Sequence, residues 1–164
     1  MTDASKSSIT NDITISKATI SDMKELLDWR IEVLTEVFSL PADADRESLR
    51  NENERYYRTS IPTNGHIACF AKLNSETIGC GGVCVYQEMP SPDNPSGWCA
   101  YLMNIYVRKQ FRRHRIGMKI VQFLIDEVKQ RGITKIYLET STPGKPLYAK
   151  MGFEDLKDMM ILKH

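Results

Sequence analysis

A chain of 164 residues is about one domain's worth of polypeptide, long enough to bury a core without disulfides or metal. With 41% hydrophobic and 26% charged residues it is neither disordered nor fibrous in composition. The net charge of +1 is a cancellation: residues 1–107 hold 15 acidic and 9 basic side chains, and residues 108–164 hold 6 and 13. A surface of one sign throughout is thereby excluded, and the basic half asks for a partner.

No apolar run approaches the roughly 18 residues of a membrane span. The opening MTDASKSSITND lacks the basic-then-apolar order of a signal peptide, so residues 1–10 are expected to be a polar tail before one domain over 11–164. Cys69, Cys80, Cys84 and Cys99 lie in apolar, strand-like stretches, apart from His66, His114 and His164. They are expected to be reduced thiols rather than bridges or metal ligands, which points to a cytoplasmic protein with no metal and no membrane association.

In chain order, Ile13 to Ala18 alternates as a strand. Ser21-Asp22 offers an N-cap to a helix whose apolar face is Met23, Leu26, Leu27, Ile31, Leu34 and Phe38. A charged helix over Arg46 to Thr59 follows. Residues 66–87 form a hairpin, and Gly79, Gly81 and Gly82 in its second strand signal either a bulge or tight packing against a helix. Pro90 to Gly97 is a surface loop, and Tyr101 to Val107 a strand. After a basic turn, Ile116, Ile120, Val121, Phe123, Leu124 and Val128 mark a helix that stops at Gly132. Ile133 to Thr140 completes a βαβ unit, right-handed by the usual rule. Leu147 to Met151 is a short helix, and Met159 to Leu162 a closing strand. The class is a single α/β domain with a mixed sheet.

The segment Arg108 to Lys119 holds six Lys or Arg and no acid, between a strand end and a helix start. There the first helical amides lack partners and the dipole adds roughly half a positive charge, which suits an anion. Three readings fit: a solvated basic face, nucleic-acid phosphates, or the pyrophosphate of a bound cofactor. The run is compact and lacks RNA-binding aromatics, so one small polyanion fits better than a long nucleic acid. Neither G-x-x-x-x-G-K-[ST] nor G-x-G-x-x-G occurs.

This segment resembles motif A of the GNAT superfamily of acyl-CoA-dependent N-acetyltransferases, [RQ]-x-x-G-x-[GA]. Arg112 and Gly117 match its ends, and Arg115 stands where glycine is usual. Gly144-Lys145-Pro146-Leu147-Tyr148-Ala149-Lys150-Met151-Gly152-Phe153 is similar to motif B of one branch, G-[RK]-P-L-Y-x-x-[LM]-G-F. With the order of elements, the resemblance covers about nine-tenths of the chain.

The resemblance implies a mostly antiparallel mixed sheet whose central parallel strands splay apart, flanked by helices. It implies acetyl-CoA as cosubstrate, its pantetheine arm along the backbone of Ile105 and Val107. Its pyrophosphate would be wrapped by Arg112, Arg113, His114, Arg115, Gly117 and Met118, with Arg115 either crowding the turn or adding a phosphate contact. Tyr148 is implied to serve the departing thiolate as a catalytic donor. The base is open: Glu88 and Glu139 are candidates by position, and water is a third. Residues 22–60, with 10 acidic and 6 basic side chains and Trp29, Phe38, Tyr56 and Tyr57, would shape the acceptor site. An acidic rim there would suit a cationic amine, whereas a solvated charged face is the plainer alternative. The expected function is acetyl transfer to a primary amine of a small molecule or peptide by direct attack in a ternary complex, by a monomer or homodimer. The alternative is a non-catalytic acyl-CoA-binding regulatory module.

Overall fold

A computed structural model describes residues 12–157 and 159–162. The proposed tail, residues 1–10, lies outside them. The elements are β1 (Ile13–Lys17), α1 (Met23–Val37), α2 (Arg46–Ser60), β2 (His66–Leu73), β3 (Glu76–Gln87), β4 (Trp98–Val107), α3 (Ile116–Lys129), β5 (Lys135–Leu138) and α4 (Lys145–Lys150). The strands form one sheet in the order β1-β2-β3-β4-β5; the first four are antiparallel neighbours, and β4 and β5 are parallel. The connection through α3 is the expected βαβ unit.

Strand alternation sends successive side chains to opposite faces of the sheet, and each face has its own core. Ile67, Cys69, Ala71, Ile78 and Val83 pack with Ile120, Val121, Leu124 and Val128 of α3. Ala68, Phe70, Cys80 and Tyr106 pack with Leu26, Leu27, Trp29 and Val33 of α1 and Tyr57 of α2. The glycines of β3 do both things foreseen for them. The register shifts between Cys80 and Gly82. A β-carbon on Gly81 would strike Ile120 of α3, while one on Gly82 would lie 2.9 Å from the His66 ring on the other face.

Three expectations change. The first helix is entered through a one-turn 3-10 segment, Ile20–Asp22, with a capping box between Thr19 and Asp22, so Asp22 caps that turn and not α1 itself. Trp29 and Phe38 do not rim a site together: Trp29 is buried beneath the Arg108 guanidinium, 4.4 Å from its ring centroid, and Phe38 is exposed. Finally, Met159 to Leu162 is not a strand. These residues join no ladder, and Met160 is 98% exposed. A short apolar run becomes a strand only beside a free edge in register, and the chain does not bring this one to β5.

Candidate active site

The parallel ladder between β4 and β5 covers Cys99 to Leu102 against Lys135 to Leu138 and then stops. Past Leu102 the two strands part. On the other side of β4, Gly82 opposes Met103 and Cys80 opposes Tyr106, leaving Asn104 and Ile105 in a bulge. Asn104 takes a left-handed conformation there, φ 58°. Beyond the bulge the Arg108 N–H bonds Ile78 O of β3, so alternation turns the polar groups of Val107 to the opposite, parted side. Arg112 Nε donates to Val107 O there at 2.8 Å.

The basic turn runs from this strand end into α3. Arg113 and Arg115 both have positive φ, 69° and 58°. Arg115 is the N-cap residue of α3, and no side chain caps the helix. Its first intrahelical bond is Lys119 N–H to Arg115 O, which leaves the amides of Ile116, Gly117 and Met118 ahead of it. No acidic residue lies in the first turn. An uncapped helix start without acidic residues is the kind of terminus that suits an anion. The left-handed N-cap explains why glycine suits position 115.

Two residues expected at the ligand, Arg112 and Gly117, also make contacts within the protein. Besides Val107 O, the Arg112 guanidinium bonds Glu36 at 2.8 Å and lies 5.5 Å from the Tyr106 ring centroid, so it ties the turn to α1. Gly117 makes room for a side chain of the protein: a β-carbon there would lie 2.9 Å from Leu147 Cδ1 of α4. That contact sets α4, and with it Tyr148, against the start of α3. Tyr148 is half-buried, packs edge-on to Phe153 at 5.8 Å, and its phenol is pushed above its usual pKa by burial.

Of the proposed bases, Glu88 is at the wrong end of the sheet. It pairs with Lys135 at 2.5 Å beside the start of β4, and that bond holds its carboxyl below the usual range. Glu139 follows the last β5 residue and neighbours Tyr101, whose phenol is raised first by burial and then by this carboxylate.

Sequence reasoning missed a cavity of about 240 Å³ on the α1–α2 face of the bulge. Met103 and Asn104, the first two residues past the last β4–β5 pair, form one side. Tyr56, Tyr57 and His66 form an aromatic wall with Cys84 beside it. The Tyr56 hydroxyl lies 3.0 Å from His66 Nδ1 and 2.9 Å from Cys84 Sγ. Burial, aided by the nearby Arg30 charge, depresses His66 to a pKa of about 4, so the imidazole is neutral. Arg30 of α1 enters the cavity and donates to Asn53 Oδ1 at 3.0 Å and Asn104 Oδ1 at 2.9 Å. The only sequence signal was Tyr56 and Tyr57; pairing them with residues 30 and 104 needs the fold.

The acidic rim expected on residues 22–60 is not at this cavity; Asp22, Glu25 and Asp28, with Trp29, line a separate one of about 480 Å³. Asp28 pairs with Lys24 and Arg50, Glu32 with Arg108, Glu52 with Arg55, and Glu54 with Arg58. Glu36 bonds Tyr106 and Arg112. No acidic residue lines the cavity.

A mixed α/β sheet whose one parallel pair parts beside an uncapped, basic helix entrance defines the class of fold. Residues 23–153 match the Acetyltransferase (GNAT) family, and the chain belongs to it. It is 28% identical over 108 residues to the [ribosomal protein bS18]-alanine N-acetyltransferase of Escherichia coli, a match spanning 64% of this chain and 60% of that protein. Against glucosamine 6-phosphate N-acetyltransferase of Arabidopsis thaliana the figures are 27% over 146 residues, 86% of this chain and 89% of that one. Among solved structures, a predicted acetyltransferase from Clostridium acetobutylicum, crystallised with acetyl-CoA, superposes with a TM-score of 0.82 at 26% identity, covering 92% of this chain and 96% of its own. No helix among the described residues is long and apolar enough to cross a membrane.

Proposed function

We propose that the protein is an acetyl-CoA-dependent N-acetyltransferase that modifies a primary amine of a small molecule or peptide by direct attack in a ternary complex. The observation that carries the reading is the parting of β4 from β5 directly beside the uncapped start of α3. The acetyl-CoA in the similar Clostridium structure supports the same cosubstrate, and the two relatives act on an alanine amine and an amino sugar phosphate. Four free cysteines accord with the reducing cytoplasm.

In this reading the amides of Ile116, Gly117 and Met118 receive the pyrophosphate, with Arg113, His114 and Arg115 as further donors. Arg112 orders the turn through Glu36. Ile105 and Val107 offer backbone to the pantetheine arm, for which Arg112 yields Val107 O. The amine nitrogen attacks the thioester carbon, a C–N bond forms, the C–S bond breaks, and the Tyr148 hydroxyl meets the departing thiolate. A phenol above its usual pKa of about 10 facing a thiol of about 8.5 makes full proton transfer uphill by more than roughly 2 kcal/mol, so Tyr148 acts by a hydrogen bond to developing charge. An amine near pKa 10 sheds its proton before attack, to water or to Glu139 at the mouth of the gap.

The test is a thermal-shift titration with acetyl-CoA followed by CoA release over a panel of amines. At 100 times the dissociation constant, acetyl-CoA stabilises by about 2.7 kcal/mol. Stabilisation without turnover on any amine identifies the non-catalytic acyl-CoA-binding module instead. No stabilisation removes both readings.

A further inference from the structure

We propose that the acceptor is a small primary amine that also carries an anionic group, a carboxylate or a phosphate, which the Arg30 guanidinium grips in the cavity beside the β4 bulge. The proposal rests on the acetyltransferase reading of the parted strands, and it specifies which amines enter.

Four observations support it. First, Arg30 is half-buried with its charge unneutralised: its partners are the neutral Asn53 and Asn104 amides, and among the described residues no carboxylate pairs with it. Buried or half-buried charges are ordinarily paired, and guanidinium presents a fork that matches two oxygens of one anion. Second, both asparagines are oriented by bonds of their own. Asn53 Nδ2 donates to Leu49 O at 2.8 Å, and Asn104 Nδ2 faces Cys80 Sγ at 3.7 Å. Their Oδ1 atoms are therefore aimed at Arg30, and they hold it at two of its five N–H groups. Third, the rest of the lining adds no charge of either sign. His66 is neutral, Tyr56 is held protonated by burial, and Cys84 is a thiol raised by burial. Of the α1 carboxylates, Asp28, Glu32 and Glu36 are already committed to Lys24, Arg50, Arg108 and Arg112, and Glu25 accepts from the Thr77 hydroxyl. Fourth, the cavity is small. At about 240 Å³ it lies below the roughly 300–1,000 Å³ of drug-sized sites.

The spacing follows from Asn104. It binds Arg30 through its side chain and belongs to the β3–β4 bulge, two residues past the last β4–β5 pair. An anion on Arg30 therefore places a nearby amine of the same molecule at the gap, which suits amino acids and aminoalkyl phosphates. It disfavours polyamines and other polycations, which would bring like charge to the guanidinium.

The test compares matched acceptors on one enzyme preparation saturated with acetyl-CoA: L-amino acids, their carboxamides, the corresponding decarboxylated amines, and 2-aminoethyl phosphate. Binding of the same compounds to the CoA complex is measured by calorimetry. The expected result is a preference of about 100-fold for anionic acceptors over carboxamides, as befits a charge-assisted bidentate contact. The amino acid and phosphate arms show which anion is preferred. In Arg30→Gln that preference collapses with the KM for acetyl-CoA unchanged, and in Arg30→Lys it is partly retained. Because the preference is a ratio within one preparation, it does not depend on the fraction folded. An anion-selective calorimetric signal lost in Arg30→Gln, without turnover, supports the cavity while overturning the catalytic reading. Equal or better use of carboxamides or decarboxylated amines, an unchanged preference in Arg30→Gln, or no anion-selective binding overturns the proposal.

Discussion

Gly117 at the start of α3 faces Leu147 of α4 so closely that a methyl group on its α-carbon would lie 2.9 Å from Leu147 Cδ1. The turn proposed to hold phosphate and the helix that carries Tyr148 are thus one packed unit. In Gly117→Ala the flexible end of Leu147 must move, while alanine gains up to about 1 kcal/mol of helix propensity over glycine. The melting temperature is expected to stay within about 4 °C of wild type and kcat to fall as α4 shifts. Melting and steady-state kinetics on the same preparation check this; a lower melting temperature with unchanged kcat would refute the coupling.

Arg115 caps α3 in a left-handed conformation, which costs a non-glycine residue about 1–2 kcal/mol. Arg115→Gly removes that strain, partly offset by the entropy glycine loses on folding. Denaturant titration is expected to show a gain of up to about 1 kcal/mol. The KM for acetyl-CoA is expected to rise several-fold as a guanidinium leaves the phosphate site. Both parameters moving together in the favourable direction would mean that Arg115 only crowds the turn.

Tyr148→Phe keeps the edge-on packing against Phe153 and removes the hydroxyl. The expected loss is about 10- to 100-fold in kcat, or roughly 1.4–2.7 kcal/mol of barrier, with little change in the KM for acetyl-CoA. Because burial raises the phenol's pKa, the hydroxyl stays protonated at neutral and moderately alkaline pH. The deficit should therefore be level from about pH 6 to 9. An unchanged kcat in Tyr148→Phe assigns the residue to packing.

Glu36 accepts from the Tyr106 hydroxyl at 2.6 Å and from Arg112 at 2.8 Å, and these bonds, Tyr106 first, hold its carboxyl below the usual range. A carboxylate depressed in the folded state stabilises the fold fully above its unfolded pKa and loses that contribution as pH falls toward the folded value. Glu36→Gln is expected to cost on the order of 1 kcal/mol near pH 7, since a partly exposed group feels solvent screening. The gap between variant and wild type should shrink below about pH 4. Urea titrations at several pH values test it, and a gap that widens in acid would contradict the assignment.

Much of the architecture was legible because it is local. The apolar spacing from Ile116 to Val128 can only be one helix face, β1 alternates, and the unbroken apolar runs of β2 and β3 follow from two covered faces. The basic helix entrance was readable for the same reason: Arg112 to Gly117 are contiguous. Two local readings failed where a partner was needed. Met159 to Leu162 has strand composition but the chain does not bring it to the edge of β5, and Glu88 stands at a strand end that turns out to be the end away from the gap.

The sequence by itself determined the family, the order of elements up to the closing segment and the basic, uncapped entrance of α3, since each is written in neighbouring residues and in hydrogen-bonding groups that every helix start exposes. Only the tertiary structure decided the rest. The acidic half of the chain suggested a cationic acceptor while its charges were counted without their partners. Folding pairs Asp28, Glu32 and Glu36 of α1 with Lys24, Arg50, Arg108 and Arg112. It leaves Arg30 between two neutral amides, one from residue 53 and one from residue 104. A charge balance summed along the chain cannot register which charge is left over; that depends on distances between residues far apart in sequence.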